Sequence, residues 1–390
     1  MYETQKEKMN QAIRYLNEEK IDAWIIYTSE GSDPCLPLVT GVKTVGPGAF
    51  LFHKSGNKVA ITSSIDAQDA RESKLFDQVL TYNNGLAEEL SKVISEWNPK
   101  TIALNKSRYE HLADGLTAGR MLWLKSTLKD VFEGEYVSAA PFLNKLRSIK
   151  TAAEIEKIQT AINITHDIYQ EVFHKIHAGM TEKEMGQLFV KAMEERGLVN
   201  GIDRTLSMPI VMKDNIAHRG PSDRKVEKGD LVIFDFSVDY EGYVSDIART
   251  VYFLKDGEKY APEKIQKTFD TIHEAITLTG KQMKPGITGN EIDQVAREHL
   301  VKNGYPEIEH ATGHQIGQAV HDGGALLGPS WERYGNAPNE PLERGNVFTI
   351  EPTVFLRDEG IHFIVEENVV VTDDGIDYLS IRQNELILID

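Results

Sequence analysis

Cysteine is nearly absent from this chain: Cys35 is one residue in 390. A single thiol excludes an intrachain disulfide and suits a reducing compartment. Long apolar runs are missing too. None approaches the roughly eighteen residues of a membrane span, and the first eight residues lead into no apolar stretch, which predicts no signal peptide. Positive charge is in deficit, with 43 Lys and Arg against 60 Asp and Glu and a net charge of −17. That balance argues against nucleic acid and anionic membranes as partners and favours solubility. Together these absences predict a cytoplasmic protein. They say nothing about reaction type.

The chain is long enough for two domains, and at 41% hydrophobic residues it can bury real cores. Residues 1–145 alternate helical and strand patterns. Residues 7–19 read as an amphipathic helix, and 23–27, 49–52, 59–62 and 101–104 read as strands, which together predict an α/β layer. No cluster of catalytic residue types appears there, so this part reads as a scaffold or dimerisation domain. A boundary is expected near 144–150, followed by a long helix over 152–177. The remainder, 146–390, contains a weak internal repeat. Ala-Gly-Met-Thr-Glu-Lys-Glu-Met (178–185) resembles Pro-Gly-Ile-Thr-Gly-Asn-Glu-Ile (285–292), and the same offset of 107 carries Gly197 onto Gly304. Thr181 with Glu184, and Thr288 with Glu291, form capping-box patterns at helix starts. Two similar α+β halves are expected to meet about a pseudo-two-fold axis, with a site between them.

Each half then carries a strand hairpin with two acids. Asp235 lies in Leu-Val-Ile-Phe-Asp-Phe-Ser (231–237), and Asp246 lies in Tyr-Val-Ser-Asp-Ile-Ala-Arg-Thr-Val-Tyr (243–252). A turn at Tyr240 and Glu241 places these two acids directly opposite one another. In the second hairpin a turn centred on Asp358 and Glu359 places Glu351 opposite Glu366. Opposed side chains on a sheet stand about 5 Å apart at Cβ. With an effective dielectric near 20, like charges at that distance repel by roughly 3 kcal/mol. Two such pairs among apolar residues call for a cation. Four carboxylates alone suit magnesium or calcium; a histidine moves the site towards manganese, cobalt or zinc. His314, in His-Ala-Thr-Gly-His-Gln-Ile-Gly (310–317), is the candidate, since its flanking glycines let the backbone bend. The pair His310 and His314 is a poor zincin helix, because no Glu follows the first His and Gly313 interrupts it.

The ordered set Asp235, Asp246, His314, Glu351 and Glu366 resembles the five-ligand dinuclear site of the M24 metallopeptidases, which have the pita-bread fold. The segments Ser-Asp-Ile-Ala-Arg-Thr (245–250), Gly-His-x-x-Gly (313–317) and Ile-Glu-Pro (350–352) are similar to that family's motifs. The resemblance covers the whole chain. With the junction Arg-Ser-Ile-Lys (147–150), it points to the two-domain creatinase, prolidase and aminopeptidase P branch. It implies a creatinase-like N-terminal domain over 1–145 and a pita-bread catalytic domain over 146–390.

By this resemblance Asp235 chelates one divalent ion, Asp246 and Glu366 bridge two, and His314 and Glu351 complete the second. Manganese is the first choice of metal, with cobalt or zinc as alternatives. Two ions about 3.5–4 Å apart can hold a hydroxide at neutral pH and polarise a scissile carbonyl. Four carboxylates and that hydroxide balance the ions to within one charge. Glu351 is implied as the proton shuttle, while Glu367, next to Glu366 on a strand, faces the other way. His218, His310 and His321 match histidines that orient substrate and stabilise the tetrahedral intermediate. His174 and His177, on a polar helical stretch, read as surface residues. The implied activity is cleavage of the N-terminal Xaa-Pro bond of peptides or dipeptides, by a homodimer. The alternatives are hydrolysis of a non-proline peptide or small amide, a creatinase-type C–N hydrolase, and a non-catalytic scaffold. The creatinase type lacks the acidic set, and scaffolds usually lose ligands. Two departures stand out. Ile364 occupies a position where many proline-specific members have Arg, with His362 on the same strand face as a partial substitute. The connection over 322–346 is long enough either to line the pocket or to be a surface ornament.

Overall fold

The computed structural model describes residues 2–213 and 219–390. Contacts divide the chain into two units, Met1–Arg147 and Ser148–Asp390.

In the first unit the strand Ala23–Ser29 is the organising element. Trp24 stacks on Phe52 and meets Phe142 edge-on, while Ile25 packs with Leu51, Leu90 and Leu104 on the other face. Burial of alternate residues on both faces requires neighbours on both sides of the layer. The result is a six-stranded mixed sheet in the order Gln78–Tyr82, Lys58–Ser63, Pro47–His53, Ala23–Ser29, Thr101–Leu104, Glu135–Ser138. The helix Glu3–Glu18 starts four residues earlier than its expected start at 7. The strands at the two edges, Gln78–Tyr82 and Glu135–Ser138, have half-exposed, mixed sequences and no apolar run to announce them.

The second unit contains the repeat. The helices Glu182–Glu195 and Gly289–Lys302 coincide end for end when shifted by 107 residues. Both open on complete capping boxes, and the helix Ala152–Phe173 opens on a third, Thr151 with Glu154, which the sequence reading passed over. Both repeat helices stop at a left-handed glycine, Gly197 at φ 65° and Gly304 at φ 87°, after which Leu198 N–H bonds the Met193 carbonyl and Tyr305 N–H bonds the Leu300 carbonyl. The longer helices Ala152–Phe173 and Glu263–Gln282 repeat as well: buried Ile158, Ile162, Tyr169 and Val172 fall on Ile265, Phe269, Ile276 and Thr279. Each half buries its helices against its own hairpin. Tyr169, Phe189, Phe234 and Phe236 dominate the first core, and Phe269, Phe348, Phe363 and Val369 lie in the second.

The two hairpins differ from expectation in one register. Asp235 pairs with Ala248, not Asp246, because the turn is centred on Glu241 and Gly242. Both turn residues have positive φ, 50° and 84°, as a two-residue hairpin turn matched to strand twist requires. Asp246 therefore faces Ser237 and lies two residues along the same face from Asp235's partner. The second register agrees with the expectation: Ile350 pairs with Glu367 and Thr353 with Ile364, which brackets Glu351 opposite Glu366. Its connection is the four-residue turn 357–360, closed by Gly360 at φ 66°. In both hairpins the ladder is interrupted beside the acids, at Ser237 opposite Asp246 in one and between Ile350 and Thr353 in the other.

Candidate metal centre

Phe234 and Phe236 turn into the helical layer, so alternation turns Asp235 to the opposite face of its strand. Asp246 stands on the same face. Its backbone is tied to the second hairpin: Asn368 Nδ2 donates to the Asp246 carbonyl at 2.6 Å. One step along, Ala248 N–H donates to Glu366 Oε2 at 2.6 Å, and Glu366 N–H returns a bond to the Ala248 carbonyl. Arg249 donates to the carbonyls of Glu366 and Ala248 and pairs with Glu367 behind the site. Glu367 does face away, accepting from Ser380 and Gln383. Asn368 and Arg249 were missed by the sequence reading. Asn368 had a signal, two residues beyond Glu366 on one strand face.

His314 comes from an extended segment laid against the strand Val347–Ile350. Its N–H donates to Thr349 Oγ1, its carbonyl accepts from Thr349 N–H, and Glu351 N–H donates to the Thr312 carbonyl at 2.7 Å. Gly313 is required there, since a Cβ would lie 2.1 Å from the Thr349 carbonyl oxygen. His314 Nδ1 faces the Gln315 carbonyl at 3.4 Å, which leaves Nε2 directed at Glu351 Oε1, 3.2 Å away, and Asp246 Oδ2, 3.5 Å away. A carbonyl on one ring nitrogen is the usual way of presenting the other to a cation.

Donor atoms of Asp246, His314 and Glu366 all lie within 4.8 Å of one another, and all three residues are buried. Burial pushes the carboxyls of Asp246 and Glu366 well above the ordinary range, and the surrounding acids, including Asp235 and Glu351, push them further. Burial also opposes charge on His314, but the Glu351 hydrogen bond and the Glu351 and Asp246 charges prevail and raise its pKa to about 9. Glu351 is displaced the other way: burial would raise it, but bonding to His314 and the charges of His314, His310 and His321 hold it low. Glu366 Oε1 is buried with no hydrogen-bond partner. An orphaned carboxylate oxygen amid three other acids and an imidazole is a donor set that fits divalent cations of intermediate hardness.

Three of the expected ligands, Asp246, His314 and Glu366, thus converge, with Glu351 against His314. His310 is half-buried, with Nδ1 on the Ala311 carbonyl and Nε2 on Thr353 Oγ1. Thr353 is a further residue the sequence did not announce. His321 is exposed at the rim, its ring 4.3 Å from that of His314. His218 lies outside the described residues. His362 does not stand in for an arginine: its ring is buried and Nε2 donates to the Leu231 carbonyl, four residues before Glu366. Ile364 is buried with Met212, Ile233 and Ala248 in a small apolar cluster beside the acids. The 322–346 connection lines one flank: Leu327 pairs with Gly313, and Tyr334 Oη accepts the Ala311 amide. Trp331, Glu332 and Arg333 form the wall of an open hollow of about 960 Å³ with Glu307, Ile308 and Glu309.

Among the described residues no helix is long and apolar enough to cross a membrane. A Pyrococcus furiosus Xaa-Pro dipeptidase is 25% identical over 98% of this chain and 100% of its own length. A Lactobacillus helveticus Xaa-Pro dipeptidase is 28% identical over 87% and 88%. The solved structure of an X-Pro aminopeptidase from Thermotoga maritima superposes with a TM-score of 0.76 at 28% identity, covering 98% and 99% of the two chains. The family model for metallopeptidase family M24 matches residues 156–373, a span that holds the clustered Asp246, His314 and Glu366. More than half of the sequence conforms to that one model, and the protein therefore belongs to metallopeptidase family M24.

Proposed function

We propose that this chain is a metal-dependent exopeptidase that removes the residue preceding proline at the N-terminus of peptides or dipeptides. The observation that carries this reading is the convergence of Asp246, His314 and Glu366 within 4.8 Å, with Glu351 and Asp235 beside them. Asp235, Asp246, His314, Glu351 and Glu366 are the residues that would hold two divalent cations. Bound divalent cations supply Lewis acidity at the scissile carbonyl and make water acidic enough to attack at neutral pH. Manganese is the proposed ion, from the mixed oxygen and nitrogen donors.

The chain's own groups do the rest. Glu351 is kept ionised by its imidazole neighbours, so it can take a proton from the attacking water. As the C–N bond breaks, it returns that proton to the proline nitrogen. His310, held by Ala311 and Thr353, and His321 at the rim would orient the substrate carbonyl; His218 is assigned the same task by family resemblance. Proline lacks an amide N–H and fixes φ, so its bond needs a dedicated enzyme. Dipeptidase and aminopeptidase relatives, at 25–28% identity, support the Xaa-Pro preference. A homodimer in a reducing cytoplasm completes the reading.

The test is proline release from Ala-Pro, and Ala release from Ala-Pro-Ala, by metal-stripped protein before and after adding manganese. Manganese-dependent release from either peptide supports the proposal, and their ratio fixes the length preference. No release from either at any manganese concentration overturns it.

A further inference from the structure

The helix Gly289–Lys302 carries a buried acid and a buried base one turn apart. Asp293 is fully buried and Arg297 is 3% exposed. Arg297 Nε lies 2.5 Å from Asp293 Oδ2, and Arg297 Nη2 lies 3.2 Å from Oδ1. Neither group spends its remaining capacity on the helix. Asp293 Oδ1 accepts the Thr312 hydroxyl at 2.7 Å and the Thr312 amide at 3.1 Å. Arg297 donates to the carbonyls of Ile308 and His310. Four bonds from one helical face therefore fix the segment on both sides of His310 and two residues ahead of His314. The Thr312 carbonyl then receives the Glu351 amide.

A buried ion pair is weak evidence for stability, because desolvation offsets its attraction. It is good evidence for a fixed geometry. The other half of the repeat sharpens this. Shifting by 107 residues places Gly186 where Asp293 stands and Val190 where Arg297 stands, so the half without His314 has no such pair at these positions.

We infer that Asp293, Arg297 and Thr312 form a positioning clamp for the metal centre, acting through the 308–314 segment on His310, His314 and Glu351. None of the three touches substrate or ion. The inference rests on the metallopeptidase reading for its effect on rate, but the clamp itself can be read without it.

Asp293→Asn strands the Arg297 charge and can fail to fold, so Thr312→Val is the main variant. It removes one hydrogen bond and keeps the shape. Thr288→Ala is the control, since it loosens the cap of the same helix without touching the clamp. Three readouts are compared in full-length protein: manganese affinity by spin-resonance titration, kcat and KM on Ala-Pro, and hydrogen exchange at Thr312, Gly313, His314 and Glu351. Thr312→Val is expected to weaken one of two manganese sites about tenfold and lower kcat about tenfold, the lower end for supporting partners. KM stays within about twofold, the four amides exchange faster, and Thr312→Ser restores all three. Thr288→Ala leaves them unchanged. The inference is overturned if Thr312→Val matches wild type, if Thr288→Ala does the same damage, or if Thr312→Ser does not rescue. If wild type binds no manganese, the functional reading fails, and the exchange rates alone then decide whether the clamp exists.

Discussion

The two halves of the second unit are built alike and furnished differently. Each has a long helix, a capped helix ending at a left-handed glycine, and a hairpin that carries two acids beside a break in its ladder. In the first half the strand Ile210–Met212 lies beside the hairpin, with Ile210 paired to Asp235. In the second, Thr312 takes that place beside Glu351, so His314 stands where the first half has Met212. Met212 is buried in the apolar cluster with Ile233 and Ile364. Repetition thus supplies two carboxylate pairs, and a local difference supplies the imidazole. The resulting donor set is unequal on its two sides, which would give two bound cations different environments.

The largest test of that inequality is His314→Ala. Activity should fall by more than the roughly 10- to 100-fold typical of losing a supporting partner, and manganese titration should show one weakened site. Met212→His should not supply a second imidazole. It should instead cost about 2 kcal/mol in urea unfolding, because a polar ring enters an apolar cluster.

Next in size is Gly313→Ala, whose Cβ would meet the Thr349 carbonyl oxygen at 2.1 Å. A loss of about 2–3 kcal/mol is expected, accompanied by a fall in activity, since His314 must move with the strand. The first half has fully buried Val211 at the matching place, so the close approach belongs to the histidine side alone.

The long helices offer a third contrast. His166 and His273 are 107 residues apart and both meet the C-terminal segment, His166 through the Ile381 amide and His273 through Asn384. His166 is buried, and burial, with the Arg249 charge, lowers its pKa from 6.5 to about 4. The unfolded chain therefore binds a proton that the folded chain refuses. Stability is complete above pH 6.5 and declines as pH falls towards 4, by at most about 3 kcal/mol. His166→Gln keeps an acceptor for Ile381 and should flatten that part of the curve in urea unfolding across pH 4–7.

The smallest effect lies in the turns. Glu241 holds a left-handed conformation at φ 50°. Glu241→Asn should stabilise by about 0.5 kcal/mol in thermal unfolding, because Asn-Gly is a preferred pair for this turn; no gain would mean the turn is set by the strands instead.

Much of this was legible because it rests on local rules. Thr181 and Glu184 announced a helix start, Gly197 its end, and the ordered acids with His314 announced the cluster. What escaped is instructive. Counting from a turn at Tyr240 put Asp235 opposite Asp246, since nothing in the residue names says that Glu241 would accept a positive φ. Edge strands such as Gln78–Tyr82 lack an apolar run, so periodicity has nothing to detect. Arg297 and Arg249 act through backbone carbonyls and Asp293 through a backbone amide, and neither group has a letter in a sequence. His362 shared the right strand face, yet depth along the strand, not face, decided its partner.

The interrupted ladders have a consequence for how the molecule assembles. Beside the break in each hairpin, the strands also bond to the other half: Ala248 to Glu366, Asn368 to Asp246, Arg249 to the Glu366 carbonyl. These contacts join residues 117 to 122 apart in sequence. Helix caps and hairpin turns close over a few residues, whereas a joint of such separation carries a larger closure entropy and forms late. Before the halves dock, the chain carries two separate acid pairs in water, and neither is a cage. Tight capture of an ion is thus a property of the finished fold, and a newly made chain cannot hold its metal until that last joint has closed.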